Sequence, residues 1–182
     1  MIPKFSSRLI TVTAAATLGY GVPASAQAVI TGFEGFRWGT SRSQILRHFG
    51  TPVEDLKEAG RERISYLQGA DSGYMFVFTP DHGLVAGIRI LPLPSGHACA
   101  VAVTAQQKAM ERRYSGLRAV DRKVPDPTGQ SCGGLKEWTV IWRDGAGNQI
   151  TLATEGGAQV SLPTGVKRHR LYIGYTSAGS SP

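Results

Sequence analysis

Between Phe33 and Thr176 the apolar residues follow two rhythms, one helical and one alternating. In SRSQILRHFG (Ser41 to Gly50), Ile45, Leu46 and Phe49 fall at helical spacing. Ser41 and Gln44 form an S-x-x-Q capping box, Gly50 suits a left-handed helix end, and Pro52 blocks resumption. A helix of about two turns is predicted. RISYLQ (Arg63 to Gln68) alternates as a strand, with Ile64 and Tyr66 on one side. Tyr74 to Phe78 and Leu84 to Leu91, rich in aromatic and β-branched residues, flank Pro80-Asp81-His82-Gly83 and predict a hairpin. Pro92 and Pro94 end it.

A second helix is predicted from about Ala98 to Tyr114, with Cys99, Val103, Gln106, Met110 and Tyr114 on one face and Ser115-Gly116 as the stop. Its opening ACAVAV also alternates, so a strand is the competing reading there. PDPTGQSCGG (Pro125 to Gly134) reads as a loop. EWTVIWR (Glu137 to Arg143) and QITLAT (Gln149 to Thr154) flank the turn Asp144 to Asn148 as a second hairpin. QVSL (Gln159 to Leu162) is a further strand candidate, RLYIGYT (Arg170 to Thr176) is a final strand, and Ser177 to Pro182 is expected to be a disordered tail.

The two halves share an order of elements: a helix ending in an aromatic followed by glycine, a strand, then a hairpin. The fold class is therefore α+β, an antiparallel sheet with two helices packed on one face. The order fits a tandem α-β-β-β repeat, with half-units about 33–94 and 95–176 inside one domain, 27–176.

The first residues carry a different signal. Lys4 and Arg8 precede the uncharged, mildly apolar run Leu9 to Val22, followed by Pro23 and Ala24-Ser25-Ala26-Gln27-Ala28. That order predicts a secretory signal peptide over residues 1–26, cleaved after Ala26 or after Ala28, with Ala26 preferred. The run is too short and too rich in Thr, Ala and Gly for a transmembrane helix, and no later segment supplies one. A periplasmic or secreted bacterial protein is expected.

Loss of Lys4 and Arg8 lowers the formal charge from +7 by two. The remaining charge suits acidic proteins or anionic envelope polymers, and export argues against a nucleic-acid partner. Two cysteines remain, Cys99 and Cys132. In an exported chain such a pair most often forms one disulfide, and closing this loop stabilises by roughly 3–4 kcal/mol on the chain-entropy model. The competing reading is a reactive Cys99 thiol served by His97, the basis of a cysteine/histidine enzyme.

FRWGTSRSQILRHFGTP (Phe36 to Pro52) followed by YMFVFTPDHGLVAGIRI resembles small exported bacterial proteins in the fold group of the β-lactamase-inhibitor protein and the small lipoprotein E of the outer-membrane β-barrel assembly machinery. The resemblance covers Phe33 to Leu91, and Ala98 to Thr176 by pattern alone. It implies helices on an antiparallel sheet, sometimes in tandem, and a habit of binding other proteins. The lipoprotein members carry a cysteine just after the leader; none stands there here, so lipid anchoring is not implied.

Catalytic motifs are not found: no H-E-x-x-H, C-x-x-C, G-x-S-x-G or phosphate loop occurs. His48, His82, His97 and His169 stand apart from metal-ligand spacing, so neither a metal nor a cofactor is expected. Glu54, Asp55, Glu58 and Glu62 read as a solvated loop rather than a carboxylate pair. Lys167, Arg168 and Arg170 are a candidate patch for anionic glycan or lipid surfaces, with a polar lead-in to the last strand as the preferred alternative. Trp38, Trp138, Trp142, Tyr172 and Tyr175 read as core before recognition platform. The expected function is that of a non-catalytic envelope protein that binds another envelope protein, as adaptor or inhibitor-like module.

Overall fold

The computed structural model describes residues 28–58, 60–69, 71–94, 97–123, 138–154 and 169–180. The first helix, α1, is Arg42–Phe49. The Gln44 side chain turns back to accept the Ser41 backbone N–H at 3.0 Å, the reciprocal arm of the capping box. Gly50, with φ of 80°, closes the helix by donating its N–H to the Leu46 carbonyl at 2.8 Å. The second helix, α2, is His97–Arg113, so ACAVAV belongs to a helix. Cys99, Ala100, Val103 and Met110 are its buried positions, close to the predicted face.

A short hairpin comes first, β1 (Gly32–Phe33) and β2 (Phe36–Arg37). After α1 follow β3 (Glu54–Glu58), β4 (Arg61–Leu67), β5 (Gly73–Thr79) and β6 (Gly83–Pro92). After α2 follow β7 (Ala119–Lys123), β8 (Thr139–Arg143), β9 (Gln149–Thr154) and β10 (Arg170–Thr176). The last eight form one sheet, ordered β3-β4-β5-β6-β10-β9-β8-β7 and antiparallel throughout. Each helix is thus followed by four strands, one more than the sequence pattern predicted. The last strands of the two sets, β6 and β10, meet at the centre, from Arg170 opposite Pro92 to Thr176 opposite Ala86.

Alternation divides the sheet into two faces. Ile64, Tyr66, Phe76, Phe78, Val140, Trp142, Ile150, Leu152, Leu171 and Ile173 share one core with Ile45 of α1 and the buried face of α2. Both helices therefore pack on the same side. Trp138 and Trp142 lie in this core, as the core reading of the aromatics requires. Ile90 and Tyr172 are buried separately, on the opposite face.

Two expectations need correction. The acidic cluster is not a loop: Glu54, Asp55 and Glu58 lie on β3 and Glu62 on β4. Three of the four are paired, Asp55 with Arg42, Glu62 with Arg42 (3.3 Å) and with Lys57 (3.2 Å), and Glu54 with Arg63 (3.7 Å). Such half-exposed pairs contribute about 0–1 kcal/mol each, so they orient the edge more than they stabilise it. The expected loose tail is also ordered over Ala178–Ser180, a 3-10 turn. Ser177 N–H reaches the Val85 carbonyl at 2.8 Å, and Ala178 N–H reaches Asn148 Oδ1 at 2.9 Å. Gln159 to Leu162 lies outside the described residues.

Candidate functional site

The β1–β2 hairpin turns on two residues, Glu34 and Gly35, with φ of 48° and 84°. Positive φ at both positions marks a type I′ two-residue turn, which favours Asn-Gly. Glutamate at the first is therefore a departure. Below the turn, Phe33 presses onto Gly87 of β6 and meets the Phe76 and Tyr175 rings edge-on or tilted, with centroids 5.2 and 5.3 Å away. Above it, Trp38 Nε1–H donates to the Ile30 carbonyl and Ile30 N–H donates to Asp144 Oδ2, both at 2.9 Å. The hairpin is thus fixed at both ends.

This arrangement leaves a cavity of about 570 Å³ between the hairpin, the end of α2 and the middle of the sheet. Arg89 and Tyr175 form part of its wall, with Glu34, Arg37, Arg113 and Tyr114 around them. The volume lies in the small-molecule range of roughly 300–1,000 Å³. Arg89 stands where alternation would place a core residue, between Gly87 and Leu91. Its guanidinium lies 5.8 Å from the Tyr74 ring centre, and Nη1 is 3.7 Å from Glu34 Oε1. Arg113 lies 5.5 Å over the Tyr114 ring. Burial pushes the Tyr175 phenol well above its ordinary value, and the hydrogen-bonded Tyr114 hydroxyl adds to the rise. Tyr175 therefore stays protonated and serves as a neutral hydrogen-bonding group, not as a base.

The other face of the sheet carries a second surface. Register places Leu56, Arg63, Val77, Ala86, Thr176, Gln149 and Arg143 in one row across β3 to β8. Ile88, Gly174, Thr151 and Ile141 stand in the next. All but Arg143, which is exposed, are partly exposed. The end bearing Ile90, Tyr172 and Arg170 is closed.

Of the sequence-derived candidates, Cys99 and Arg170 lie among the residues whose side chains the structure describes. Arg170 is only 4% exposed, so it cannot face an anionic surface, and Lys167 and Arg168 lie outside the described residues. Cys99 is fully buried, unlike a reactive thiolate, which needs access. Cys132 and the His97 side chain lie outside the described residues. His48 is exposed on α1, edge-on to Phe36, and His82 is in the β5–β6 turn with its N–H toward Thr79 Oγ1 at 3.3 Å. Among the described residues, no group of three or more His, Cys, Asp or Glu could hold a metal ion, and no helix is long and apolar enough to cross a membrane. Sequence reasoning missed Glu34, Arg37, Arg89, Arg113 and Tyr114. One signal was available: Arg89 is a charge set inside the apolar alternation of GLVAGIRIL. Comparison with protein-family models, with curated proteins and with solved structures gives no match.

Proposed function

We propose that this is a non-catalytic binding protein of the bacterial envelope, an adaptor or inhibitor-like module that docks an acidic partner protein on the helix-free face of its sheet. One observation carries the reading: a row of partly exposed side chains runs across both halves, small or apolar at Val77, Ala86 and Thr176 in its centre, with Arg63 on one side and Gln149 and Arg143 on the other. An apolar centre with a charged rim is the anatomy of a protein interface. Eight strands about 4.8 Å apart and about six residues long give a face of roughly 800 Å², the area one partner buries in a standard complex. Neither half reaches that alone. With the Ile90 and Tyr172 end closed, the area left fits a transient complex. The order of the sheet, four strands from each helix with the last strands joined centrally, supports reading the chain as two α-β-β-β-β units. The resemblance noted above agrees with this reading.

Crosslinked capture from envelope extract tests it. Wild-type protein should retain a defined partner, Ala86→Glu should lose it without a change in thermal midpoint, and Lys108→Glu on α2 should keep it. Retention by Ala86→Glu would remove the sheet face from the interface.

Export and a Cys99–Cys132 bridge belong to the same reading, supported by the leader pattern and the burial of Cys99. Intact mass after alkylation should show a chain beginning at Gln27 that takes up label only after reduction. Label on the unreduced protein would reopen the enzyme alternative.

A further inference from the structure

We propose that the cavity under the β1–β2 hairpin is a binding site for a small anionic molecule, one bearing a carboxylate or phosphate group, which Arg89, Arg37 and Arg113 hold in place of the Glu34 carboxylate. This site lies on the helix side of the sheet and is independent of the docking face.

The charge balance comes first. Three guanidinium groups and one carboxylate line the cavity. Among the described residues neither Arg37 nor Arg113 has a carboxylate partner. Arg89 Nη1 stays 3.7 Å from Glu34, beyond hydrogen-bond distance, while its Nε is buried with no hydrogen-bond partner. A buried donor left unmade costs about 1–3 kcal/mol, so the site favours an acceptor. Guanidinium groups suit carboxylate and phosphate because their forked donors match both oxygens. The Tyr74 ring lies beside the Arg89 guanidinium, and the Tyr175 and Tyr114 hydroxyls add hydrogen-bonding groups.

The turn supplies the second observation. Glu34 occupies a left-handed position that Asn would fill with less strain, and its side chain faces Arg89. A strained residue kept beside an incompletely bonded cation is an internal stand-in for an anion. One effect opposes binding: α2 ends at the rim, and the negative end of its dipole disfavours an anion by about 0.3–1 kcal/mol. The last-turn residues Arg112 and Arg113 offset it. The volume exceeds that of a bare ion, so there is room for a larger molecule around the anionic group.

Titration of the processed, full-length protein with succinate and with glucose 6-phosphate tests the site and separates carboxylate from phosphate. Succinamide and glucose are the neutral controls. Ring-labelled tyrosine NMR locates binding at Tyr114 and Tyr175. At least one anion should saturate the protein and shift those two resonances, and the neutral analogues should not. Arg89→Met should weaken binding tenfold or more. Should that variant fail to fold, the exposed Arg37→Gln and Arg113→Gln provide the same reading, each with a several-fold loss. Glu34→Asn should act in the opposite direction and tighten binding, since it removes the competing carboxylate. No saturable binding of either anion, equal binding of the neutral analogues, or a weaker Glu34→Asn would overturn the proposal.

Discussion

Replacing Gly87 by alanine should lower the thermal midpoint by roughly 10 °C, although only one methyl group is added. A Cβ built at this position falls 2.0 Å from Phe33 Cδ1, inside the ring's contact radius. Phe33 is almost fully buried against Phe76, Tyr74 and Tyr175 and cannot retreat without disturbing them. Overpacking a filled core costs about 1–3 kcal/mol, sometimes more. For a domain of this size each kcal/mol shifts the midpoint by about 2–4 °C. Gly174 is the internal control, because its added Cβ would meet only Thr151 at 3.9 Å, an ordinary contact. Gly174→Ala should therefore stay within about 0.5 kcal/mol of wild type. The cause is checked in a Phe33→Ala background, itself destabilised by about 3–5 kcal/mol. There Gly87→Ala should cost almost nothing. An equal cost in both backgrounds would clear the ring of responsibility.

Asp144→Ala should be comparably damaging, through polar groups instead of packing. Asp144 accepts four hydrogen bonds: from Ile30 N–H and Asn148 Nδ2 at Oδ2, and from Ala146 N–H and Asn148 N–H at Oδ1, all between 2.9 and 3.0 Å. Truncation strands several donors in a site only 6% exposed, for a loss of about 3–5 kcal/mol. Burial by itself would raise this carboxyl's pKa; the hydrogen bonds from the Asn148 side chain and then from the backbone of Ile30, Asn148 and Ala146 outweigh it and hold the carboxyl below its usual range. The sign follows from that depression. The ionised group contributes its full share above the unfolded value of about 3.9, and the share is lost as pH falls through the lower folded value. Urea midpoints should thus separate wild type from Asp144→Ala widely at neutral pH, and the gap should narrow below pH of about 4. A gap that stays constant into strong acid would mean that the charge on Asp144 contributes nothing.

The elements legible in the sequence were those with one buried face. The β5–β6 hairpin, β9, β10 and both helices show their period because packing requires it. Besides the short β1 and β2, the strands missed are β3 (EDLKE) and β7 (AVDRK), the two outer strands of the eight-stranded sheet. An edge strand is kept charged so that it does not recruit another chain, and the same charges erase its alternation. The cavity was hidden for another reason. Glu34, Arg89 and Arg113 lie on three elements far apart in sequence, and only the seating of Phe33 on Gly87 brings the turn over Arg89. The Asp144 turn was recognised as a turn. Its bond to Ile30, 114 residues away, has no local signature.

That turn also holds the other end of the fold, since Asn148 Oδ1 receives Ala178 N–H while its Nδ2 donates to Asp144. Ile30 and Ala178 are therefore tied to the same few atoms, and a peptide of a few residues would span the gap between them. In all but the covalent sense the backbone is a ring. On a ring, which half is read first is an accident of the gene: a circularly permuted chain, opened in the segment between β6 and α2, would carry every strand pairing of the sheet unaltered.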